Sequence, residues 1–193
     1  MNRRLAQGFD GEVESHPRSP VQAVIALGAN LGDRSETMSA AVRDLARLPL
    51  VDEVRVSLPI ESVAVKQDGP DALAPGYLNA VAVVTTRLAP SVLLGYLHAI
   101  ERRYGRVRSA DRSARVAGWE DRTLDLDLIA YGDVISDDPR LLLPHPRAAE
   151  RDFVLEPWLT VDPDAVLPGV GRVDEALRRL RVDRPNGHEA GAR

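Results

Sequence analysis

The sequence predicts an α+β fold, and three observations carry the prediction. Short aliphatic and β-branched runs interleave with two segments of helical periodicity. Two of the strand-like runs stand next to each other between the helices, so the pattern is not a simple alternation of strand and helix. Gly and Pro punctuate the junctions, which bounds each element.

The elements follow in order. Residues 21–27 form a β-branched and aliphatic run that stops at Gly28, the pattern of a buried strand followed by a turn. A helix is predicted over 34–48, because Met38, Ala41, Val42, Leu45 and Leu48 share one apolar face. Residues 51–58, with Val54 and Val56 alternating, read as a second strand. The stretch 59–76 holds Gly69, Pro70, Pro75 and Gly76 and is read as a long loop, of the kind that is usually functional or disordered in compact domains. Residues 77–86 are rich in Val and Thr and give a third strand. Pro90 then opens a helix carrying Leu93, Leu94, Leu97, Ile100 and Tyr104, and Gly105 closes it. After a charged stretch, 123–131 is the fourth strand. The order β-α-β-β-α-β is the ferredoxin-like arrangement, a core from which helices on one sheet face and ligands on the other are expected. An extra short strand near Val134, small helices over 147–160 and a last helix over 173–181 are read as antiparallel and peripheral additions.

Composition narrows the function classes. The 193 residues suit one domain, placed at 21–182, with flexible tails at 1–20 and 183–193. Hydrophobic residues at 44% and charged residues at 28% are ordinary globular values, away from the disordered and membrane classes. A net charge of -4 argues against a general nucleic-acid binder, so any anion site is a local patch. No Cys is present, which removes disulfides, thiolate metal sites and Cys nucleophiles. No apolar stretch in the first twenty residues matches a secretory signal or membrane anchor.

The most informative run is Arg122-Thr123-Leu124-Asp125-Leu126-Asp127. In a strand, Asp125 and Asp127 point the same way, roughly 7 Å apart at Cα, with Leu124, Leu126 and Leu128 packing behind. Hard cations such as Mg²⁺ are commonly held by one or two carboxylates plus substrate phosphates. An isolated Asp-x-Asp is more often a pair of surface aspartates. Upstream, Arg106, Arg108, Arg112, Arg115 and Arg122 offer planar donors for phosphate oxygens, although Asp111, Glu120 and Asp121 among them also suit a solvated charged loop. His16, His98 and His188 lack a spaced second ligand and suggest no metal site.

Taken together the motifs are more specific. Gly105-Arg106-Val107-Arg108, Trp119, Arg122 to Asp127, Pro144-His145-Pro146-Arg147 and Arg151-Asp152-Phe153-Val154-Leu155 resemble the 6-hydroxymethyl-7,8-dihydropterin pyrophosphokinase family of folate biosynthesis. The resemblance begins at Val24-Ile25-Ala26-Leu27-Gly28-Ala29-Asn30-Leu31-Gly32-Asp33, close to the family's opening strand and Gly-Ser-Asn-Leu-Gly-Asp turn, and runs to about Pro168. It implies a cytoplasmic, monomeric enzyme that transfers pyrophosphate from ATP, its co-substrate, to the hydroxymethyl group of the pterin, releasing AMP, without nucleic acid or membrane partners.

The resemblance also implies roles. Asp125 and Asp127 would hold two Mg²⁺ ions. Arg106 and Arg122 match phosphate-contacting arginines, Arg108 a loop arginine that helps closure, and Trp119 a cap on the closed site, with core packing as its alternative. His145 and Arg151 match further phosphate contacts, while Leu128 and Leu142 would meet adenine. For the pterin, Tyr77 and Asn79 fit the family's Tyr-Leu-Asn signature; Asn79 offers donor and acceptor to the pterin edge. Tyr77 and Phe153 would sandwich the ring, core packing being the other reading of Phe153. The backbone around Ser62, Val63 and Val65 would line the pocket, with Asp125 and Trp119 also touching the pterin, and Glu101 would support the site rather than catalyse. No general base is evident beyond the carboxylates. Two segments depart from the family pattern. Ser62-Val63-Ala64-Val65-Lys66 stands where Thr-x-Pro-x-Gly is usual, and Ala117-Gly118-Trp119-Glu120-Asp121-Arg122 replaces Arg-Trp-Gly-Pro-Arg, with extra residues after Arg108.

Two rival readings compete with this one. An RNA-binding module would stack bases on sheet aromatics, but aromatics are only 4% of the chain and no matching strand motif occurs. A metal-dependent phosphohydrolase could use the same carboxylates.

Overall fold

The computed structural model describes residues 19–62, 65–66, 69–70, 76–105 and 123–183, the side chains of 65–66 and 69–70 excepted. Both tails and the charged stretch at 106–122 lie outside the described residues. Four long strands make the central sheet: β1 (Val21–Ala29), β2 (Val51–Val56), β6 (Tyr77–Thr86) and β7 (Asp125–Tyr131), in the order β2-β6-β1-β7 with every neighbour antiparallel. Helix α1 (Arg34–Ala46) joins β1 to β2, and α2 (Pro90–Arg103) joins β6 to β7. Each helix therefore spans two parallel strands separated by one antiparallel strand.

The local chemistry sets the bounds. Gly32 turns the chain at φ 65°, and the Asp33 carboxylate accepts from the Glu36 N–H at 2.9 Å, capping α1. Pro90 starts α2 where no intrahelical N–H is needed, and Gly105 leaves it at φ 86°. One face of the sheet presents Ala23, Ile25, Leu27, Ala82, Val84, Leu126 and Leu128 to Met38, Ala41 and Leu45 of α1 and Leu93, Leu97 and Ile100 of α2. These are the apolar positions from which both helices were predicted.

The expectation that helices lie on one face alone does not hold. Helices α3 (Asp152–Val161) and α4 (Val173–Asp183) cover it, packing Val154, Leu155, Trp158, Ala176 and Leu177 on Val24, Val81, Val83, Ile129 and Ala130. The stretches Ala23–Leu27 of β1 and Ala80–Val84 of β6 are apolar on both faces and require cover on both sides. A ladder irregularity between Val24 and Ile25, opposite Ala130 and Leu128, leaves Ile129 as an extra residue, so Ile129 and Ala130 both face the second core.

Two further boundaries differ from expectation. β1 runs through Gly28 to Ala29 instead of turning at Gly28, because Gly28 pairs with Asn79 and with Asp125. The stretch 59–76 is not all loop: β3 (Ile60–Ser62) pairs with β6, and β4 (Val65–Lys66) pairs with β5 (Gly69–Pro70). The strand expected near Val134 is a hairpin of β8 (Ser136–Asp138) and β9 (Leu141–Leu143), and a small hairpin of β10 (Val166–Leu167) and β11 (Gly171–Arg172) precedes α4.

Candidate active site

Of the residues singled out in sequence, Asn79, Asp125 and Asp127 lie together where β1, β6 and β7 meet at one end of the second face. Register places Asn79 and Asp125 on either side of Gly28, and Asp127 pairs with Ala26 one rung inward. Directly opposed residues in antiparallel strands point the same way, so Asn79, Asp125 and, by alternation, Tyr77 and Asp127 share that face. Leu124, Leu126 and Leu128 point into the α1/α2 core. The paired aspartates are therefore carried by an apolar strand, as predicted.

Gly28, read in sequence as the end of a strand and part of the family's turn motif, lies between Asn79 and Asp125. A Cβ built on it lies 3.6 Å from Asn79 Oδ1 and 3.9 Å from Asp125 Cβ. Its backbone is not left-handed, so conformation alone does not call for glycine. What the missing side chain leaves is a floor between an amide and a carboxylate, the close-approach use of a strand glycine. Asn79 is buried, and its Nδ2 donates to Ser62 Oγ at 2.8 Å, which orients the carboxamide with Oδ1 on the Gly28 side. Ser62 owes its position to β3, which the sequence did not reveal. Arg34 fixes that rim: its guanidinium donates to the Gly76 carbonyl and to Glu61 at 3.0 Å, tying the start of α1 to β3 and β6. The sequence signal for Arg34 was only its place after the Gly32-Asp33 turn.

On the other side, Arg151 Nη1 donates to Asp127 Oδ2 at 2.7 Å, and His145 Nε2 lies 3.9 Å from the same oxygen. Arg151 immediately precedes α3, and its Cζ sits 5.9 Å from the Phe153 ring centroid. The Leu143–Pro144 peptide is cis, and the His145 N–H donates to the Ile129 carbonyl at 2.8 Å, docking this segment on β7. Burial pushes the His145 imidazole below its ordinary pKa; Asp127 opposes that, while Arg151 and Arg147 reinforce it. The Arg147 N–H donates to His145 Nδ1 at 3.1 Å, so the neutral ring carries its proton on Nε2, toward Asp127.

Glu101 is fully buried on α2, and its Oε1 accepts the Leu126 N–H at 3.1 Å, at the residue between the two aspartates. This is a supporting position, consistent with the role expected of it. Leu128 is buried in the first core, so only its backbone on edge strand β7 faces outward, whereas Leu142 on β9 is 43% exposed. Val65 is described by its backbone alone; Val63, Arg106, Arg108, Trp119 and Arg122 lie outside the described residues.

Among the described residues no group of three His, Cys, Asp or Glu forms a metal cage. Two half-buried carboxylates on one strand face are instead the hard-oxygen donor set that suits Mg²⁺ when substrate phosphates and water complete its coordination. The donor set fits.

A family model described as 7,8-dihydro-6-hydroxymethylpterin-pyrophosphokinase (HPPK) matches residues 24–163, most of the chain. The chain belongs to this family. The match starts within β1 and ends just beyond α3. The chain is 40% identical over 153 residues to the 2-amino-4-hydroxy-6-hydroxymethyldihydropteridine pyrophosphokinase of Pseudomonas aeruginosa, covering 79% of this chain and 88% of that protein. It is 36% identical over 161 residues to the enzyme of the same name from Haemophilus influenzae, covering 83% and 93%. A crystal structure of Plasmodium falciparum HPPK-DHPS is similar in fold, with a TM-score of 0.57 at 11% identity over 86% of this chain and 43% of that one. The mixed helix and antiparallel-sheet architecture is thus that of an HPPK chain. Among the described residues no helix is long and apolar enough to cross a membrane.

Proposed function

We infer that this chain is an ATP-dependent diphosphotransferase, which transfers pyrophosphate from ATP to the hydroxymethyl group of 6-hydroxymethyl-7,8-dihydropterin and releases AMP, a step of folate biosynthesis. The observation that carries the reading onto particular atoms is the rung Asn79–Gly28–Asp125, flanked by Asp127. An amide suited to a heterocycle's donor–acceptor edge lies one strand-pair away from carboxylates suited to a metal-bound triphosphate, with a side-chain-free floor between them.

In this reading Asn79 binds the amide-like edge of the pterin, held in orientation by Ser62, while Tyr77 and Phe153 bound the ring's faces and the segment Ser62 to Val65 is assigned to the pocket lining. The hydroxymethyl oxygen is then directed across Gly28 toward Asp125. Asp125 and Asp127 hold Mg²⁺, two ions in our reading, whose chemistry when bound is to neutralise phosphoryl charge and acidify the attacking hydroxyl. Arg151 and His145 are assigned to the triphosphate from the α3 side; by their place in the family motifs Arg106, Arg108 and Arg122 are assigned to the same phosphates, with Trp119 as cap. Leu142 and the backbone at Leu128 are assigned to adenine. Attack on the β-phosphorus breaks its bond to the α-phosphate bridging oxygen, so AMP leaves and no enzyme-bound phosphoryl intermediate forms. Positioning and charge stabilisation supply the rate.

We also read the core as ferredoxin-like, from the antiparallel order β2-β6-β1-β7 with α1 and α2 as crossovers, within a single domain at 21–182. A monomeric, cytoplasmic enzyme without nucleic-acid partners is part of the same proposal. Incubation with Mg-ATP and the pterin, followed by mass spectrometry, tests the activity: equimolar AMP and pterin pyrophosphate are expected. Orthophosphate release in place of AMP would instead favour a phosphohydrolase.

A further inference from the structure

We propose that the Arg151 guanidinium is a resident counter-ion on Asp127, which a divalent cation must displace and which the triphosphate then receives, so that metal and nucleotide favour each other's binding. The proposal rests on Asp127 as a metal ligand. Its own grounds are geometric. Arg151 Nη1 is 2.7 Å from Asp127 Oδ2, a charge-assisted bond, with His145 Nε2 at 3.9 Å from the same atom. The two side chains are only 15% and 30% exposed, so water screens the pair weakly.

A cation held by that oxygen would have to share it with the guanidinium, and the two positive groups repel each other. The pair therefore opposes binding of the metal alone. Arg151 is also incompletely bonded where it sits: its Nε is buried and has no hydrogen-bond partner among the described residues. Phosphate oxygens offer the planar guanidinium the multiple acceptors that one carboxylate oxygen does not. The exchange balances: the Asp127–Arg151 pair is replaced by Asp127–metal and phosphate–Arg151, and no partly buried charge is left unmatched. Metal alone would strand the guanidinium beside Phe153, over whose ring it lies at 5.9 Å. Nucleotide with metal removes that cost, and reciprocity makes the two ligands mutually favourable.

The signature is a pair of effects of opposite sign. Mn²⁺ is the metal probe, read by electron paramagnetic resonance, and its complex with the α,β-methylene analogue of ATP is the second ligand. Arg151→Met should bind Mn²⁺ alone at least about tenfold more tightly than the unaltered protein and the Mn²⁺–analogue complex at least about tenfold more weakly. Arg151→Gln is the second variant, with the same signs expected, and thermal midpoints verify folding of each. Arg147→Met removes a neighbouring cation that does not touch Asp127 and should leave the affinity for Mn²⁺ alone unchanged. Unchanged or weaker Mn²⁺ affinity in folded Arg151→Met or Arg151→Gln would overturn the proposal, as would an equal gain in Arg147→Met, which would make the effect diffuse charge. Asp127→Asn separates the two layers. If it loses Mn²⁺ while the Arg151 variants match the unaltered protein, the metal-ligand reading stands and the counter-ion does not; if it binds Mn²⁺ normally, the underlying reading itself has failed.

Discussion

At the scale of single residues, the site depends on what is absent as much as on what is present. Gly28 lies inside a central strand, where glycine typically costs roughly 0.5–1 kcal/mol relative to alanine, yet no left-handed backbone angle requires it. Gly28→Val should therefore fold with an equal or higher thermal midpoint while its side chain fills the space between Asn79 and Asp125. Pterin affinity should fall by at least about tenfold, the equivalent of 1.4 kcal/mol, with ATP affinity nearly unchanged. Calorimetry with each ligand decides it: normal pterin binding by a folded Gly28→Val would mean that nothing approaches this floor. Asn79→Ala is the complementary change. It removes the amide that Ser62 orients, and an unmatched polar edge on the ligand should cost roughly 1–3 kcal/mol of pterin binding. Equal losses for pterin and ATP would contradict the assignment.

At the scale of elements, Glu101 ties α2 to β7 at the residue between the aspartates. Glu101→Ala leaves the Leu126 N–H without this buried acceptor and should lower stability by about 1–3 kcal/mol in urea unfolding. Glu101→Gln keeps an acceptor oxygen and should recover part of that loss; a full loss in Gln would mean that the charge, and not the hydrogen bond, matters. Elements with strong punctuation were legible in the sequence. Tyr77–Thr86 and the Pro90 start of α2 match their predicted bounds, because Gly76 and Pro90 leave few alternatives. Other features carried no local signal. β3 is three residues long and exists only through pairing with β6. β1 passes through Gly28 because partners on both sides hold it there. The cover supplied by α3 and α4 depends on which sheet face their apolar stripes meet, a tertiary choice that periodicity cannot state. Asp125 and Asp127 were readable from alternation alone, whereas the Arg151–Asp127 pair joins residues far apart in sequence and needed the fold to bring them together.

At the scale of the molecule, a sheet buried on both faces holds β1, β6 and β7 in fixed register, and the site occupies the end of that rigid frame. Such a frame predicts that function and folding separate at the aspartates. Asp125→Asn and Asp127→Asn preserve volume, and both side chains are only partly buried, so the variants should unfold cooperatively near the midpoint of the unaltered protein. Asp127→Asn keeps an oxygen that can accept from Arg151 but loses the charge of a weakly screened pair, so its midpoint should lie below that of Asp125→Asn. The most direct measurement is the single-turnover rate of AMP formation at saturating Mg-ATP and pterin for these two folded variants. A fall of about 10²-fold or more in both is the predicted result, as for loss of a group that stabilises charge in the transition state; near-normal transfer by either would contradict the assignment of the β7 carboxylates to the pyrophosphate-transfer machinery.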